Sequence, residues 1–284
     1  MTAPVIPDDT GSCDTLLAVC GQRIRIRYRH GTGVPLVLCN GIGAGLEVLD
    51  PLVRALDPDR PVIRFDVPGT GESAASLLPY GFPYLAWVLG RILDRLDVGV
   101  VDVLGLSWGS ALAQQFAFQN PRRCRRLILA ATATGVTMVP GRPSALAAMA
   151  TPRRFRDPDY AASIAGRIYG GAVRRRELEV ADLFDRQSHA GSARGYRHQL
   201  MAGAVWSSLF ALPALCQRTL IIAGDDDPII PIINARIMTA LIRGAHLHRH
   251  DGGHIDLVVD AARFAPVIDH FLGPASPAPA RSAG

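Results

Sequence analysis

The chain opens with two short runs rich in β-formers, Leu16–Val19 and Ile24–Tyr28. Gly21-Gln22 separates them, which signals a β-hairpin. In the second run Arg23, Arg25, Arg27 and Arg29 alternate with Ile24, Ile26 and Tyr28. A period of two turns one face inward and the other outward. The pattern then changes to continuous apolar runs: Leu36–Cys39, Val62–Phe65, Val100–Leu104, Leu127–Ala131 and, far downstream, Thr219–Ala223. Strands buried on both faces read this way, and they belong to parallel sheets. His246–His250 predicts a more polar last strand. Between the runs lie helical stretches at Leu46–Leu56, Tyr84–Leu96, Ser110–Asn120, Pro231–Ile242 and Ala261–Phe271. The ring of Pro121 disfavours helix at Asn120 and ends the third of these. Strands alternating with helices of this length predict an α/β protein, with a mainly parallel sheet of about eight strands and helices on both faces.

The alternation stops near Thr134 and resumes near Arg218. The segment between is rich in Ala and Arg and helical in pieces. Pro140, Pro143, Pro152, Pro158, Gly170-Gly171 and Gly191 punctuate it. It predicts a helical cap, residues 135–217, inserted after the sixth strand of a core made of 1–134 and 218–272. Residues 273–284 are of low complexity and predict a disordered tail.

Composition narrows the function classes. The chain has 284 residues, 49% hydrophobic and 19% charged, which suits a large folded core. No apolar run reaches the roughly 18 residues of a membrane span. Asp8, Asp9 and Asp14, with no basic start, argue against a signal peptide. Five scattered cysteines without a C-x-x-C predict free thiols in a reducing, cytoplasmic setting. The net charge of +5 comes from arginine alone, for there is no lysine. The arginines cluster at 122–126, 153–156 and 174–176. Aromatics are only 6% and no nucleic-acid module appears, so these clusters predict a solvated basic face or an interfacial patch rather than nucleic-acid binding.

The chemistry centres on Gly105-Leu106-Ser107-Trp108-Gly109. It follows an apolar strand and precedes a helix, the context of a nucleophile elbow. The sharp turn demands small residues two positions either side of the serine. A serine hydroxyl needs a histidine base and a carboxylate to orient it, following in the chain order Ser, acid, His. Downstream, one strand ends in Asp225-Asp226-Asp227-Pro228 and the last ends in Asp251-Gly252-Gly253-His254. His254 follows two glycines in a loop able to reach Ser107, and it is the candidate base. His246, His248 and His250 alternate on the last strand as a polar face without a fourth metal ligand. His30, His189, His198 and His270 carry no motif.

An oxyanion needs two backbone donors. The N–H of Trp108 is one candidate. The N–H of Ile42, in Asn40-Gly41-Ile42-Gly43-Ala44-Gly45, is the other. That loop lacks the Lys-Ser/Thr of a phosphate loop and the third glycine of a dinucleotide fingerprint. Asp66-Val67-Pro68-Gly69-Thr70-Gly71-Glu72-Ser73 reads as a structural turn. Three adjacent aspartates without a second oxygen cluster do not make a cation site. The expected chemistry needs neither metal nor cofactor.

The pattern Gly224-x-x-Asp227-Pro228-x-x-Pro231 resembles the acid loop of many α/β-hydrolases, where the aspartate three after the glycine is the triad acid. That resemblance implies Asp227, with Asp225 and Asp226 as solvated or loop-capping neighbours. A narrower resemblance spans about residues 20–272. It is carried by Asn40–Ala44, Phe65–Gly69, Ser107–Gly109, Ala111–Ala117, Leu129–Ala133, Met138–Gly141, Ile168–Gly171 and Ala223–Pro228. These segments look like the intracellular poly(3-hydroxyalkanoate) depolymerases, above all those acting on medium-chain-length polyester. Ser110 departs from the glycine expected after the elbow. The resemblance implies the α/β-hydrolase fold, Ser107, Asp227 and His254 as a triad, and a place on cytoplasmic polymer granules. Polymer synthases of the same pathway carry cysteine in the elbow, so serine points to hydrolysis.

Cap apolar residues would divide between the cap's own core and a patch for the granule surface: Leu146, Met149, Ile164, Ile168, Tyr169, Leu183, Phe184, Leu200, Met201, Val205, Trp206, Leu209 and Phe210. Two other readings stand beside this one. The first is a hydrolase of small soluble esters, lactones or C–C bonds. The second is a non-catalytic granule-bound or ligand-sensing scaffold, which an intact Ser-Asp-His set argues against.

Overall fold

The computed structural model describes residues 11–150, 153, 157–175 and 191–274. One sheet holds β1 (Ser12–Val19), β2 (Gln22–Arg29), β3 (Leu36–Cys39), β4 (Val62–Phe65), β5 (Val101–Leu106), β6 (Cys124–Ala130), β7 (Arg218–Gly224) and β8 (His246–His250). Their spatial order is β1-β2-β4-β3-β5-β6-β7-β8. β1 and β2 form the expected hairpin, β2 runs antiparallel to β4, and all later pairs are parallel.

Apolar layers cover both faces. Helices Phe82–Arg95, Trp108–Gln119 and Ile232–Leu241 bring Leu85, Leu89, Phe116 and Met238 to one face. Helices Asp50–Ala55 and Ala261–Leu272 bring Leu52, Val53, Phe264 and Ile268 to the other. The helix expected over Leu46–Leu56 divides into a 3-10 turn, Leu46–Leu49, and the helix Asp50–Ala55. Pro51 explains the break. Without an N–H it cannot continue a helical ladder, yet it is well placed in a first turn.

The arginine face of β2 is not the solvent face that alternation predicts. Arg25, Arg27 and Arg29 are buried. Arg25 pairs with Asp14 at 2.6 Å and Glu47 at 2.7 Å, and Arg27 also pairs with Asp14. Arg29 donates to the carbonyls of Val53 and Asp57, both at 2.7 Å. A period of two says that the three share a face; it does not say what covers it. The basic cluster at 122–126 is partly solvated, with Arg122 and Arg125 exposed, but it is also tied to the fold. Arg123 donates to the carbonyls of Val98, Gly99 and Gly90, and Arg125 pairs with Asp102. Cap residues 154–156 and 176, and the apolar Leu183 and Phe184, lie outside the described residues, as does the expected tail from residue 275 on.

Asp66 sits beneath this charged layer. Its carboxylate accepts the N–H groups of Leu46 (2.9 Å) and Glu72 (3.1 Å). Burial nevertheless outweighs these bonds and the nearby Arg25, and pushes its pKa up to about 7. Between about pH 4 and pH 7 the folded chain therefore holds a proton that the unfolded chain has released. This contribution stabilises the fold at low pH and is lost as pH rises through 7. We expect wild type to lose stability relative to Asp66→Asn between pH 5 and pH 8 in urea titrations. A constant difference would mean that Asp66 is ionised throughout.

Between β6 and β7 the chain runs through helices Pro143–Ala150, Pro158–Tyr169, Gly171–Arg175 and Ala193–Val205. Ala145, Ala161, Ile164 and Ile168 pack together and against Ile229. Among the described residues no helix is long and apolar enough to cross a membrane. All five cysteines are unpaired.

Candidate active site

Strand register brings the candidate residues to one edge of the sheet. Leu106 of β5 pairs with Ala130 of β6, Ala130 with Ile222 of β7, and Gly224 of β7 with His250 of β8. The loops that follow these strands therefore emerge side by side. Ser107 turns directly out of β5 with φ 53° and ψ −116°, a conformation L-residues rarely adopt, at a cost of about 1–3 kcal/mol. The neighbours explain why glycine flanks it. A Cβ at Gly105 would strike the backbone of Gly109 and Ser110, and one at Gly109 would strike the carbonyls of Cys39 and Asn40. Ser110 is fully buried. Its hydroxyl lies 2.6 Å from the Gly105 carbonyl and 3.0 Å from that of Ala130, so the residue that departs from the family pattern ties down the elbow.

Ser107 Oγ stands 2.8 Å from His254 Nε2, and His254 Nδ1 stands 2.8 Å from Asp227 Oδ2. His254 and Asp227 are both buried. The second carboxylate oxygen of Asp227 accepts the N–H groups of Ile229 (2.8 Å) and Ile230 (2.9 Å). Of the three adjacent aspartates, only Asp227 faces the histidine. Asp225 pairs with Arg249 at 2.6 Å, which holds its carboxyl below the usual range. Asp226 accepts from Gly171 N–H and from Arg174, both at 2.8 Å.

The glycine-rich loop after β3 lies against the elbow: a Cβ on Gly41 would sit in van der Waals contact with Ser107 Cβ. The N–H groups of Ile42 and Trp108 donate to no acceptor among the described residues. Trp108 begins the helix Trp108–Gln119, so its N–H is one of the donors every helix start leaves free.

A family model for the alpha/beta hydrolase fold matches residues 34–261. The chain belongs to the α/β-hydrolase fold family. A poly(3-hydroxyalkanoate) depolymerase of Ectopseudomonas oleovorans is 49% identical over 253 residues, covering 88% of this chain and 89% of its own. A 2-hydroxymuconate semialdehyde hydrolase of a Pseudomonas species is 29% identical and covers 88% of this chain and 91% of its own. Among solved structures, an enol-lactonase from Burkholderia xenovorans superposes with a TM-score of 0.79 at 25% identity, over 91% of this chain and 99% of that one.

In this α/β-hydrolase the helical segment between β6 and β7 reaches into the loops of the site, a feature that motif reading missed. The Tyr169 carbonyl accepts the His254 N–H at 2.7 Å. Gly171 and Ala172 donate to Asp226 and Asp256. Gly170 and Gly171, which punctuate the segment and belong to one of the stretches that carry the resemblance, are both pressed against the acid and histidine loops. Gly171 has φ 50°, and a Cβ there would collide with the backbone at Gly252-Gly253 and with Asp256. Gly171→Ala should therefore cost about 2–3 kcal/mol of stability in urea unfolding and lower turnover at least tenfold by displacing His254. A variant with wild-type stability would mean that the loops separate freely. The strand histidines behave differently. Exposure falls from His246 to a buried His250, which packs edge-on against Phe264, and burial pushes its pKa down.

Proposed function

We propose that this chain hydrolyses the ester bonds of medium-chain-length poly(3-hydroxyalkanoate) through an acyl-enzyme on Ser107. The observation that carries the reaction type is the unbroken line of contacts from Ser107 Oγ through His254 to Asp227, each 2.8 Å long. The substrate is supported by the 49% identity to the depolymerase over 253 residues, 88% of this chain.

In this reading His254 Nε2 takes the Ser107 proton as Oγ attacks the ester carbonyl. Asp227 keeps the Nδ1–H tautomer in place and stabilises the imidazolium. The carbonyl oxygen becomes an alkoxide between the N–H groups of Ile42 and Trp108. The alkoxide collapses, the ester C–O bond breaks, and His254 gives its proton to the departing hydroxyl. Water then attacks the acyl-enzyme by the same route and releases the acid.

An exposed apolar strip suits a polyester surface on a granule. Residues 135–136 run beside 206–207, and Val136, Val205 and Phe210 are 61%, 82% and 92% exposed. Beneath them Trp206 contacts Phe82, which contacts Trp108. Met201 is exposed as well, whereas Ile164, Ile168, Tyr169 and Trp206 are buried, Leu146 and Met149 pack against the cap core, and Leu200 and Leu209 are half-buried. The likeness to an enol-lactonase favours a second reading, a hydrolase of small lactones or esters.

Turbidity of a suspension of medium-chain-length polyester particles separates the two, with p-nitrophenyl octanoate alongside. Clearing by wild type but not by Ser107→Ala is the expected result. Cleavage of the soluble ester without clearing would replace the polyester with a small substrate.

A further inference from the structure

Gln199 lies in the cap helix Ala193–Val205 and has no exposed surface. Its side chain leaves the cap and enters the loop after β3, where Oε1 accepts the Gly43 N–H at 2.7 Å. Its main-chain carbonyl accepts the indole Nε1–H of Trp108 at 3.0 Å. One cap residue thus holds the two segments whose backbone N–H groups, at Ile42 and Trp108, face the developing oxyanion in the mechanism above.

We propose that Gln199 is a positioning residue that sets the oxyanion-stabilising loop. Gly43 follows Ile42 directly, so holding the Gly43 N–H holds the plane of the Ile42–Gly43 peptide, which includes the Ile42 Cα and carbonyl and leaves only the φ and ψ of Ile42 between it and the Ile42 N–H. Gly43 has φ 72°, where the loop reverses, and no neighbouring strand holds it. The amide is not there to fill space. Its Nε2 is buried and meets no acceptor within hydrogen-bond distance among the described residues; the nearby Tyr80 hydroxyl gives its own proton to the Pro68 carbonyl at 2.9 Å. A leucine or methionine would fill the same volume without burying a poorly met amide. The feature the amide adds is an acceptor aimed at the oxyanion loop.

This inference rests on the Ser107 chemistry, and its test keeps the two apart. Gln199→Met removes the acceptor and keeps the bulk. The assay is turnover of p-nitrophenyl octanoate, with inhibition by octylboronic acid, whose boron takes a bond from Ser107 Oγ and places an oxygen where the oxyanion sits. We expect kcat to fall about 10- to 100-fold with KM within about threefold, and boronate affinity to weaken in proportion to kcat/KM. A folded variant with wild-type kcat, or a loss of kcat at unchanged boronate affinity, overturns the proposal.

Should Gln199→Met fail to fold, Trp108→Phe removes the other bond while keeping the backbone N–H at 108. It should lower kcat and boronate affinity together by several-fold, and wild-type values in both would overturn the proposal. A wild-type protein that neither turns over the ester nor binds the boronate would overturn the Ser107 reading itself, and this inference with it.

Discussion

Ser107→Ala is expected to lower kcat for p-nitrophenyl octanoate by about four orders of magnitude or more, with KM changed little. The remaining rate would come from substrate binding and the oxyanion donors, which the substitution leaves in place. The size of the effect follows from the geometry. Oγ is the only atom lost, and it is the atom 2.8 Å from His254 Nε2. Stability separates this from misfolding. Alanine keeps the strained backbone at φ 53°, so its melting temperature should stay within a few degrees of wild type. Ser107→Gly should be as inactive and more stable by about 1 kcal/mol, because glycine adopts that φ at no steric cost. A pair of variants inactive in this way, one of them stabilised, identifies a residue strained for its chemistry. Turnover by Ser107→Ala within tenfold of wild type would place the nucleophile elsewhere.

Much of this site was legible because strand ends are legible. Apolar runs bounded by Gly and Asp mark where a parallel strand stops, and parallel strands all stop at the same edge. That reasoning places Ser107, the Asp225–Asp227 run and His254 together without coordinates. It could not choose among the three aspartates, since one residue of register decides which carboxylate turns inward. Only resemblance pointed to Asp227, and the pairings of Asp225 with Arg249 and Asp226 with Arg174 show where the others go. Long-range cover was illegible for a different reason. The arginines of β2 alternate like a solvent face, but Asp14, opposite Arg27 on β1, and Glu47 and Asp50, from the segment after β3, pair with them and bury them. Contacts between the cap and the site, through Gln199 and Tyr169 to Gly171, were hidden likewise. A backbone carbonyl accepting from His254 leaves no trace in the type of residue that supplies it.

Asp227→Asn should lower kcat by about 10³- to 10⁴-fold, although it changes one atom and no volume. The carboxylate faces three donors: the N–H groups of Ile229 and Ile230 on Oδ1 and the Nδ1–H of His254 on Oδ2. An amide has a single oxygen. If that oxygen stays on the two backbone donors, the NH₂ meets His254 Nδ1, which must then act as acceptor. The ring proton moves to Nε2, which points at Ser107 and can no longer take its proton. If the amide flips, the NH₂ meets two N–H groups, and leaving these buried donors unpaired costs about 1–3 kcal/mol. The first arrangement is the cheaper, so the loss should fall on kcat, with KM nearly unchanged and the melting temperature down by only a few degrees. The Nδ1 proton resonance of His254 should disappear from the spectrum of the variant. Asp225→Asn serves as the control and should keep turnover within about twofold, since its carboxylate reaches only the half-exposed Arg249. Near-normal turnover by Asp227→Asn, or a loss in Asp225→Asn to match it, would remove Asp227 from the mechanism.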